Sequence, residues 1–181
     1  MPFHTILTQR LDMGMVGTLA LVPQVVDAVT VPVIASGGIM DGRGIAAALA
    51  LGASAVQMGM AFLTCDEAGV PNAYKDAILK AREHETRLTR AFSGRPARGI
   101  VNRFMAEVER ADAPTAILPF PLQNALTRPL RNAAARQDRA DYLSLWAGQG
   151  VRLARRQPAA ILIARLAHET EAVVRRLARP D

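Results

Sequence analysis

Val31-Pro-Val-Ile-Ala-Ser-Gly-Gly-Ile39 decides the fold of this chain, together with Gly52-Ala-Ser-Ala-Val-Gln-Met-Gly-Met60. Each stretch holds a short apolar run, of the length typical of a strand that is buried on both faces, and then a glycine. Between them, Asp41 is predicted to cap a helix from Gly42 to Leu51, and Gly52 suits the residue that stops it. The order strand, helix, strand predicts an α/β fold with two parallel strands.

The glycines after the two strands predict a phosphate site. Gly37 and Gly38 allow a tight turn and let a ligand approach the backbone, and Gly59 repeats the pattern after the second strand. The first amides of the helix after Asp41 are expected to point back toward this turn. In a (β/α)8 barrel, the loops after strands seven and eight build the usual phosphate site, so the pair matches that architecture in order and spacing.

The sequence resembles the nitronate monooxygenases, formerly called 2-nitropropane dioxygenases. The resemblance begins near Gly14 and rests on Ser36 to Ala53, Gln57-Met-Gly59, Gly17-Thr-Leu-Ala-Leu-Val-Pro-Gln-Val-Val26, Ser93-Gly-Arg-Pro-Ala-Arg-Gly-Ile-Val-Asn102 and Leu145-Trp-Ala-Gly-Gln-Gly150. Members of this family are FMN-dependent TIM barrels that oxidise alkyl nitronates with O2 to a carbonyl compound and nitrite. The resemblance therefore implies FMN as the cofactor, and a nitronate and O2 as the substrates.

Carried over to this sequence, the family's contacts to the flavin phosphate fall after both strands. They are Gly38, Gln57, Met58, Gly59 and Met60, and Gly37 joins the predicted set as the neighbour of Gly38. The family has a threonine where this chain has Met60, so one side-chain hydrogen bond to the phosphate is lost and the backbone amide remains. A hydrogen bond to a charged group is worth roughly 1.5–3 kcal/mol, so FMN affinity is expected to fall by about an order of magnitude or more.

The resemblance does not supply a catalytic base. In the family this base is a histidine in a Glu-Ala-Gly-Gly-His segment, which by spacing falls around residues 2–4, but the chain begins Met1-Pro-Phe-His4 without the two glycines. His4 is close to the expected place, yet an exposed histidine at a frayed terminus is the simpler interpretation. We assign no catalytic residue.

The length of the chain restricts what it can form. A TIM barrel takes about 250 residues, and this chain has 181. We expect barrel strands seven and eight in residues 1–65, and a mainly helical segment that packs on the barrel in residues 66–181. The chain is then the C-terminal part of a longer or split enzyme, with the missing N-terminal half-barrel as a candidate partner. Two alternatives stay open: a fragment of an FMN-dependent enoyl reductase or NAD(P)H:quinone reductase, and a non-catalytic remnant.

Apolar spacing and proline positions predict four helices in the second segment. They are Pro71 to about Glu83, Val101–Arg110, Gln123–Asp138 with an interruption at Pro129, and Pro158–Leu177. Ala113–Pro121 is expected to be a loop, because its prolines lack backbone donors and restrict the residues before them.

Composition predicts a cytoplasmic protein that binds neither a membrane nor nucleic acid. No apolar run approaches the roughly 20 residues of a membrane span, the N-terminus lacks the features of a signal peptide, and one cysteine, Cys65, cannot form an internal disulfide. The net charge is +6, but aromatic residues make up only 4% of the chain. The arginines recur at helical spacing, which is typical of solvated helix faces. No cluster has metal-ligand spacing.

Four residues admit two interpretations each. Arg95 and Arg98 flank a Gly/Pro turn, where they could hold an anion, or could fix the chain by donating to carbonyls, which we favour. Trp146 could line the active site, as the resemblance implies, or pack in a core, which is more frequent. Cys65 is expected to be a small packed residue rather than a nucleophile.

Overall fold

The computed structural model describes residues 15–110 and 116–179. In chain order the elements are α1 (Thr18–Ala28), β1 (Ile34–Ser36), α2 (Gly42–Ala50), β2 (Ala55–Gln57), α3 (Met60–Leu63), α4 (Asn72–Lys80), β3 (Thr86–Thr89), β4 (Ala97–Ile100), α5 (Arg103–Val108), α6 (Leu122–Arg136) and α7 (Ala159–Leu177). Short 3-10 turns lie at Glu83–Glu85, Ala140–Tyr142 and Gln149–Leu153.

The chain divides into two compact units. One unit runs up to Gly59 and resumes at Ile163, and the other is Met60–Leu162. The sequence-based division into residues 1–65 and 66–181 places the C-terminal helix differently. In the structure, α7 belongs with the first unit from Ile163 onward, because Glu169 of α7 accepts a hydrogen bond from the amide of Gly42 at the start of α2.

The first unit is built on the predicted strand, helix and strand. β1 and β2 are parallel, with Ile34 beside Ala55 and Ser36 beside Gln57. One face of this pair packs against helices, and its small core consists of Val22, Ala35, Ile39, Ala48 and Ala53. The predicted parallel pair is therefore confirmed, and α1 is an additional helix that the sequence analysis did not assign.

Local signals account for the ends of α2. The Asp41 carboxylate accepts hydrogen bonds from the amides of Arg43 at 3.1 Å and Gly44 at 3.2 Å, as expected of an N-cap. At the other end, Gly52 has a φ of 94°, a left-handed conformation that favours glycine. The helix ends at Ala50, one residue before the predicted Leu51.

The second unit contains an antiparallel hairpin, in the part of the chain where a mainly helical segment was expected. β3 pairs with β4, with Thr86 opposite Ile100 and Thr89 opposite Ala97, and Trp146 bridges to Gly99 beside it. Each strand has four residues and includes an arginine, so neither shows the apolar alternation of a half-buried strand. The main core of this unit lies beneath α4, and its buried members are Tyr74, Ile78, Ala81, Ile100, Ala134, Leu143, Leu145, Ala147 and Val151.

Helices α4, α5 and α6 of the second unit match their predicted positions, except for the interruption of α6, whereas the short α3 was not predicted. Helix α6 runs through Pro129 without a break. Pro129 has no amide to donate to the carbonyl four residues earlier. The Arg131 side chain donates to the Asn124 carbonyl at 3.0 Å, which adds a contact along this part of the helix. Thr127 also donates to the Phe92 carbonyl at 2.6 Å, which holds this part of the helix on the loop after β3. The predicted loop is irregular over its described residues, 116–121.

Candidate flavin-phosphate site at the ends of the parallel strands

The ends of β1 and β2 bring the predicted glycines to one edge of the sheet. Ser36 and Gln57 are neighbours in the parallel register, so Gly37 and Gly38 leave the sheet beside Met58 and Gly59. Gly37 has a φ of 111° and Gly38 a φ of 73°. Both values lie in the region that residues with a Cβ rarely adopt, so the turn after β1 requires its two glycines.

Space is open directly above this backbone. A methyl group on the Cα of Gly38 or of Gly59 would meet no other atom within 4 Å. The Gln57 side chain is exposed at the same edge. Exposed backbone amides without side chains over them are what a phosphate group requires for close approach.

The N-terminus of α1 holds the turn in place. Thr18 Oγ1 donates to the Gly37 carbonyl at 2.9 Å. A Cβ on Gly37 would lie 3.0 Å from the same hydroxyl oxygen, whereas Gly17 has open space like Gly38 and Gly59. Sequence reasoning missed Thr18 as a positioning residue, although it lies in one of the blocks that carry the family resemblance.

The N-terminus of α2 is not free to bind a phosphate, contrary to expectation. Its amides at Gly42, Arg43 and Gly44 donate to the carboxylates of Glu169 and Asp41. Burial raises the pKa of Asp41, but the hydrogen bond from the Arg43 side chain and those from the two amides outweigh it, so the pKa lies below its ordinary value. Two carboxylates therefore occupy the positive end of α2, and the open space lies over the backbone of the glycine turns at Gly38 and Gly59.

The two methionines in the predicted set have packed side chains. Met58 is half-buried against the core of the first unit, next to Val56. Met60 is half-buried against the main core of the second unit. Each can therefore offer only its backbone amide to a phosphate, which leaves Gly37, Gly38, Gln57 and Gly59 as the exposed members of the predicted set.

Comparison with known proteins identifies the family. The sequence profile of the nitronate monooxygenases matches residues 7–169. The chain is 53% identical over 137 residues to a probable nitronate monooxygenase of Bacillus subtilis, and 44% identical over 163 residues to one of Staphylococcus aureus. The chain belongs to the nitronate monooxygenase family. Relatives in this family are flavin-dependent oxidoreductases.

Solved structures agree with the membership in the nitronate monooxygenase family. A nitroalkane oxidase from Streptomyces ansochromogenes superposes with a TM-score of 0.85 at 47% identity over 94% of this chain. FabK from Thermotoga maritima gives a TM-score of 0.75 at 36% identity over 91%. These neighbours are TIM-barrel enzymes.

The chain is much shorter than these relatives. It spans 39% of the Bacillus protein and 45% of the Staphylococcus protein. It spans 48% of the nitroalkane oxidase chain and 52% of the FabK chain.

The arginines of the Ser93–Asn102 block contact the protein itself. Arg98 donates to the Thr86 carbonyl at 3.0 Å across the hairpin. The Arg95 guanidinium lies over the Phe120 ring, 4.3 Å from its centroid. Arg98 thus fixes the chain through a carbonyl, the interpretation that we favoured, and Arg95 does so through an aromatic ring.

Trp146 is a packing residue within the second unit. Its ring meets Phe92 edge to face with centroids 5.5 Å apart, and its carbonyl accepts a hydrogen bond from the Tyr74 hydroxyl at 2.6 Å. Burial raises the pKa of Tyr74, so this hydroxyl stays protonated. Cys65 is buried, which confirms that it is a packed residue. Desolvation also raises the pKa of its thiol, which lowers the fraction of reactive thiolate.

The sequence analysis assigned no catalytic base to any of the described residues. His4 lies outside them. Within residues 15–110 and 116–179, no three His, Cys, Asp or Glu side chains are placed to hold a metal ion, and no helix is long and apolar enough to cross a membrane.

Proposed function

We propose that this chain supplies the phosphate-binding part of an FMN site, as the C-terminal part of a TIM barrel that includes strands seven and eight. The enzyme so formed oxidises alkyl nitronates with O2 to a carbonyl compound and nitrite. One observation carries the proposal: two parallel strands end side by side in glycine turns whose backbone faces open space. Membership in the nitronate monooxygenase family supplies the chemistry that such a site serves.

The residues present fit a flavin phosphate. Gly38 and Gly59 leave room for the oxygens to approach the main chain, and the exposed Gln57 can add a side-chain amide donor. The nearest carboxylate in sequence, Asp41, is turned to the amides of α2 and to Arg43. Its charge is therefore paired with that of Arg43, which weakens its repulsion of a phosphate.

Each residue has a distinct part in binding. The amides after β1 and β2 donate to the phosphate, Thr18 orients the first turn through the Gly37 carbonyl, and Met60 contributes only its amide. FMN, when bound, supplies the redox chemistry, while the protein supplies orientation. The proton-transfer residue for the nitronate is not among the residues assigned here, so we propose no role for His4.

The whole activity requires more polypeptide than this chain. The chain spans less than half of the nitronate monooxygenases that it matches, and the strands that surround the flavin ring in a barrel are not among its described strands. We propose the missing N-terminal half-barrel as the partner, and a nitronate and O2 as the small-molecule substrates. A cytoplasmic location fits the single cysteine.

A titration of the purified chain with FMN tests whether the glycine turns anchor the flavin phosphate. We expect quenching of FMN fluorescence that saturates, and monodisperse protein that keeps visible absorbance after gel filtration. Riboflavin, which lacks the phosphate, is the matched control and is expected to bind at least about tenfold more weakly, since it forms no charge-assisted hydrogen bonds. Equal affinities for FMN and riboflavin would refute a phosphate anchor.

A second candidate is a flavin-dependent reductase, which the similarity to FabK favours. One assay distinguishes the two reactions. It uses the enzyme reconstituted with its remaining strands. Nitrite release and O2 uptake on addition of an alkyl nitronate support the oxidase. Oxidation of NAD(P)H by an enoyl thioester or a quinone, without nitrite release from a nitronate, supports the reductase. The higher TM-score of the nitroalkane oxidase favours the first outcome.

A further inference from the structure

A lysine lies in the interior of the second unit. Lys75 of α4 is only 3% exposed, although lysine is rarely buried without partners. Its ammonium donates to two main-chain carbonyls, that of Cys65 at 2.7 Å and that of Asp66 at 3.1 Å. A buried charge is costly unless it is hydrogen-bonded, so these two carbonyls hold the Lys75 ammonium in the interior.

The two carbonyls lie at the end of a single helical turn. Helix α3 stops at Leu63, and the Cys65 amide donates back to the Phe62 carbonyl at 3.1 Å, so the turn continues to Cys65. The last carbonyls of a helix have no partner within it and carry partial negative charge. Lys75 therefore places a cation on this end of α3, where its charge-assisted hydrogen bonds are stronger than neutral ones.

The other end of α3 belongs to the candidate flavin-phosphate site. Met60 is the first residue of α3 and follows Gly59 directly, and its backbone amide is one of those proposed to donate to the phosphate. The helix has four residues, and so short a helix does not keep its shape without contacts to the rest of the protein. The direction of the Met60 amide therefore depends on what fixes the far end of the turn.

Hydrogen bonds contribute much of what fixes that end. The fully buried side chains of α3 and of the residues that follow it are small, and they are Ala61, Thr64 and Cys65. Small side chains bury little apolar area, although Leu63 adds a half-buried contact with the main core. The Thr64 hydroxyl donates to the Arg155 carbonyl at 2.8 Å, and the Lys75 ammonium makes two charge-assisted bonds.

We propose that Lys75 is a positioning residue of the flavin-phosphate site, because its ammonium fixes the end of α3 and thereby directs the Met60 amide toward the phosphate. In this role Lys75 acts through the main chain and does not itself contact the phosphate. The role rests on the proposed function for its ligand, whereas the fixing of α3 is a property of the chain without flavin. The two steps can therefore be tested separately.

Amide hydrogen exchange of the full chain without flavin tests the first step. Lys75→Met keeps the length and the apolar stem of the side chain but removes its donors. We expect residues 60–66 to exchange at least about tenfold faster, because the turn loses two hydrogen bonds to a charged group. Thr127→Val is the matched control, since Thr127 also donates to a main-chain carbonyl, that of Phe92, but lies on α6. It is expected to leave the exchange of residues 60–66 unchanged.

Flavin titration tests the second step. In Lys75→Met we expect the Kd for FMN to rise about fivefold, while the Kd for riboflavin, which has no phosphate, stays the same. A general loss of packing would weaken the binding of both flavins alike. Lys80→Met controls for the loss of a positive charge, because Lys80 is exposed at the end of the same helix, and it is expected to change neither Kd.

The outcomes separate this role from the proposed function. Equal exchange of residues 60–66 in the wild type and Lys75→Met would overturn the role of Lys75, whatever the flavins do. Faster exchange with an unchanged preference for FMN over riboflavin would overturn it too, and would leave the phosphate anchor intact. A wild type without that preference would refute the anchor, and faster exchange in Lys75→Met would then support the fixing of α3 alone. If Lys75→Met does not fold, Lys75→Gln keeps a neutral donor and is expected to show the same changes to a smaller extent.

Discussion

The Gly42 amide donates to Glu169 Oε2 at 3.0 Å, across 127 positions of sequence. A Cβ on Gly42 would lie 2.4 Å from the Glu169 Cβ and 2.4 Å from the Thr170 nitrogen, so α7 touches the first residue of α2. Only glycine permits this approach at that position. The contact closes the first unit and also occupies the end of α2 that a phosphate would otherwise use.

Gly42→Ala is expected to destabilise the protein. Alanine normally favours a helix over glycine, but here the added methyl group would overlap backbone atoms that cannot move without shifting α7. We expect a loss of about 1–3 kcal/mol in the free energy of unfolding, measured by urea denaturation. Gly69→Ala is the control, because a Cβ on Gly69 meets nothing within 4 Å. A Gly42→Ala protein as stable as the wild type would contradict the contact.

Asp41→Asn is expected to make the stability of the folded protein less sensitive to acid. The folded-state pKa of Asp41 is lowered, so its ionised form adds stability above the ordinary aspartate value of about 3.9, and this stability is lost as the pH falls through the lower folded-state pKa. Asparagine remains a good N-cap but does not titrate. The urea midpoints of the two proteins are compared from neutral to acid pH. The wild type is expected to lose more stability, and parallel curves would refute the prediction.

Gly59→Asp is expected to weaken FMN binding without loss of stability. The space above Gly59 is open, so a side chain fits there, but a carboxylate would lie where the phosphate is proposed. We expect at least about a tenfold increase in Kd, or about 1.4 kcal/mol, by fluorescence titration. Gly69→Asp makes the same change in charge at an equally open glycine of the second unit. If both variants bind FMN equally well, Gly59 is not part of the anchor.

Met60→Thr is expected to strengthen FMN binding and to lower stability. It restores the hydroxyl that the family resemblance implies, which is worth roughly 1.5–3 kcal/mol to a phosphate. It also removes a half-buried side chain from the main core of the second unit, at a cost of about 1–2 kcal/mol. Titration and thermal denaturation measure the two effects. Met58→Thr, which removes a packed methionine from the first unit, is the control and should lower stability alone.

Thr18→Val is expected to weaken FMN binding through the turn after β1. It deletes the hydroxyl that donates to the Gly37 carbonyl, while the side-chain volume stays similar. A single neutral hydrogen bond is worth about 0.5–1.5 kcal/mol, so we expect up to about a tenfold loss of affinity. Thr18→Ser keeps the hydroxyl and should restore binding. If the Thr18→Val and Thr18→Ser proteins bind FMN with equal affinity, the hydroxyl does not position the turn.

The sequence by itself determined the elements whose signals are local. The strand after Val31, the cap at Asp41 and the stop at Gly52 each depend on residues within a few positions of one another, so β1, α2 and β2 follow from apolar run length and turn chemistry. The same holds for the C-terminal helix, since Ala159–Leu177 lies inside the predicted range. The glycine positions of the candidate site were predicted for the same reason.

Only the tertiary structure decided the features that join distant residues. The β3–β4 hairpin forms from two short arginine-containing strands that are stabilised by each other and by Trp146. The division of the chain into units and the closure of α2 by Glu169 depend on contacts across more than a hundred positions. No local pattern encodes such contacts, because their energy comes from packing and hydrogen bonds between surfaces that meet only in the folded chain. For the same reason, only the structure showed that Ala35 lies in the core while its neighbour Ile34 is exposed.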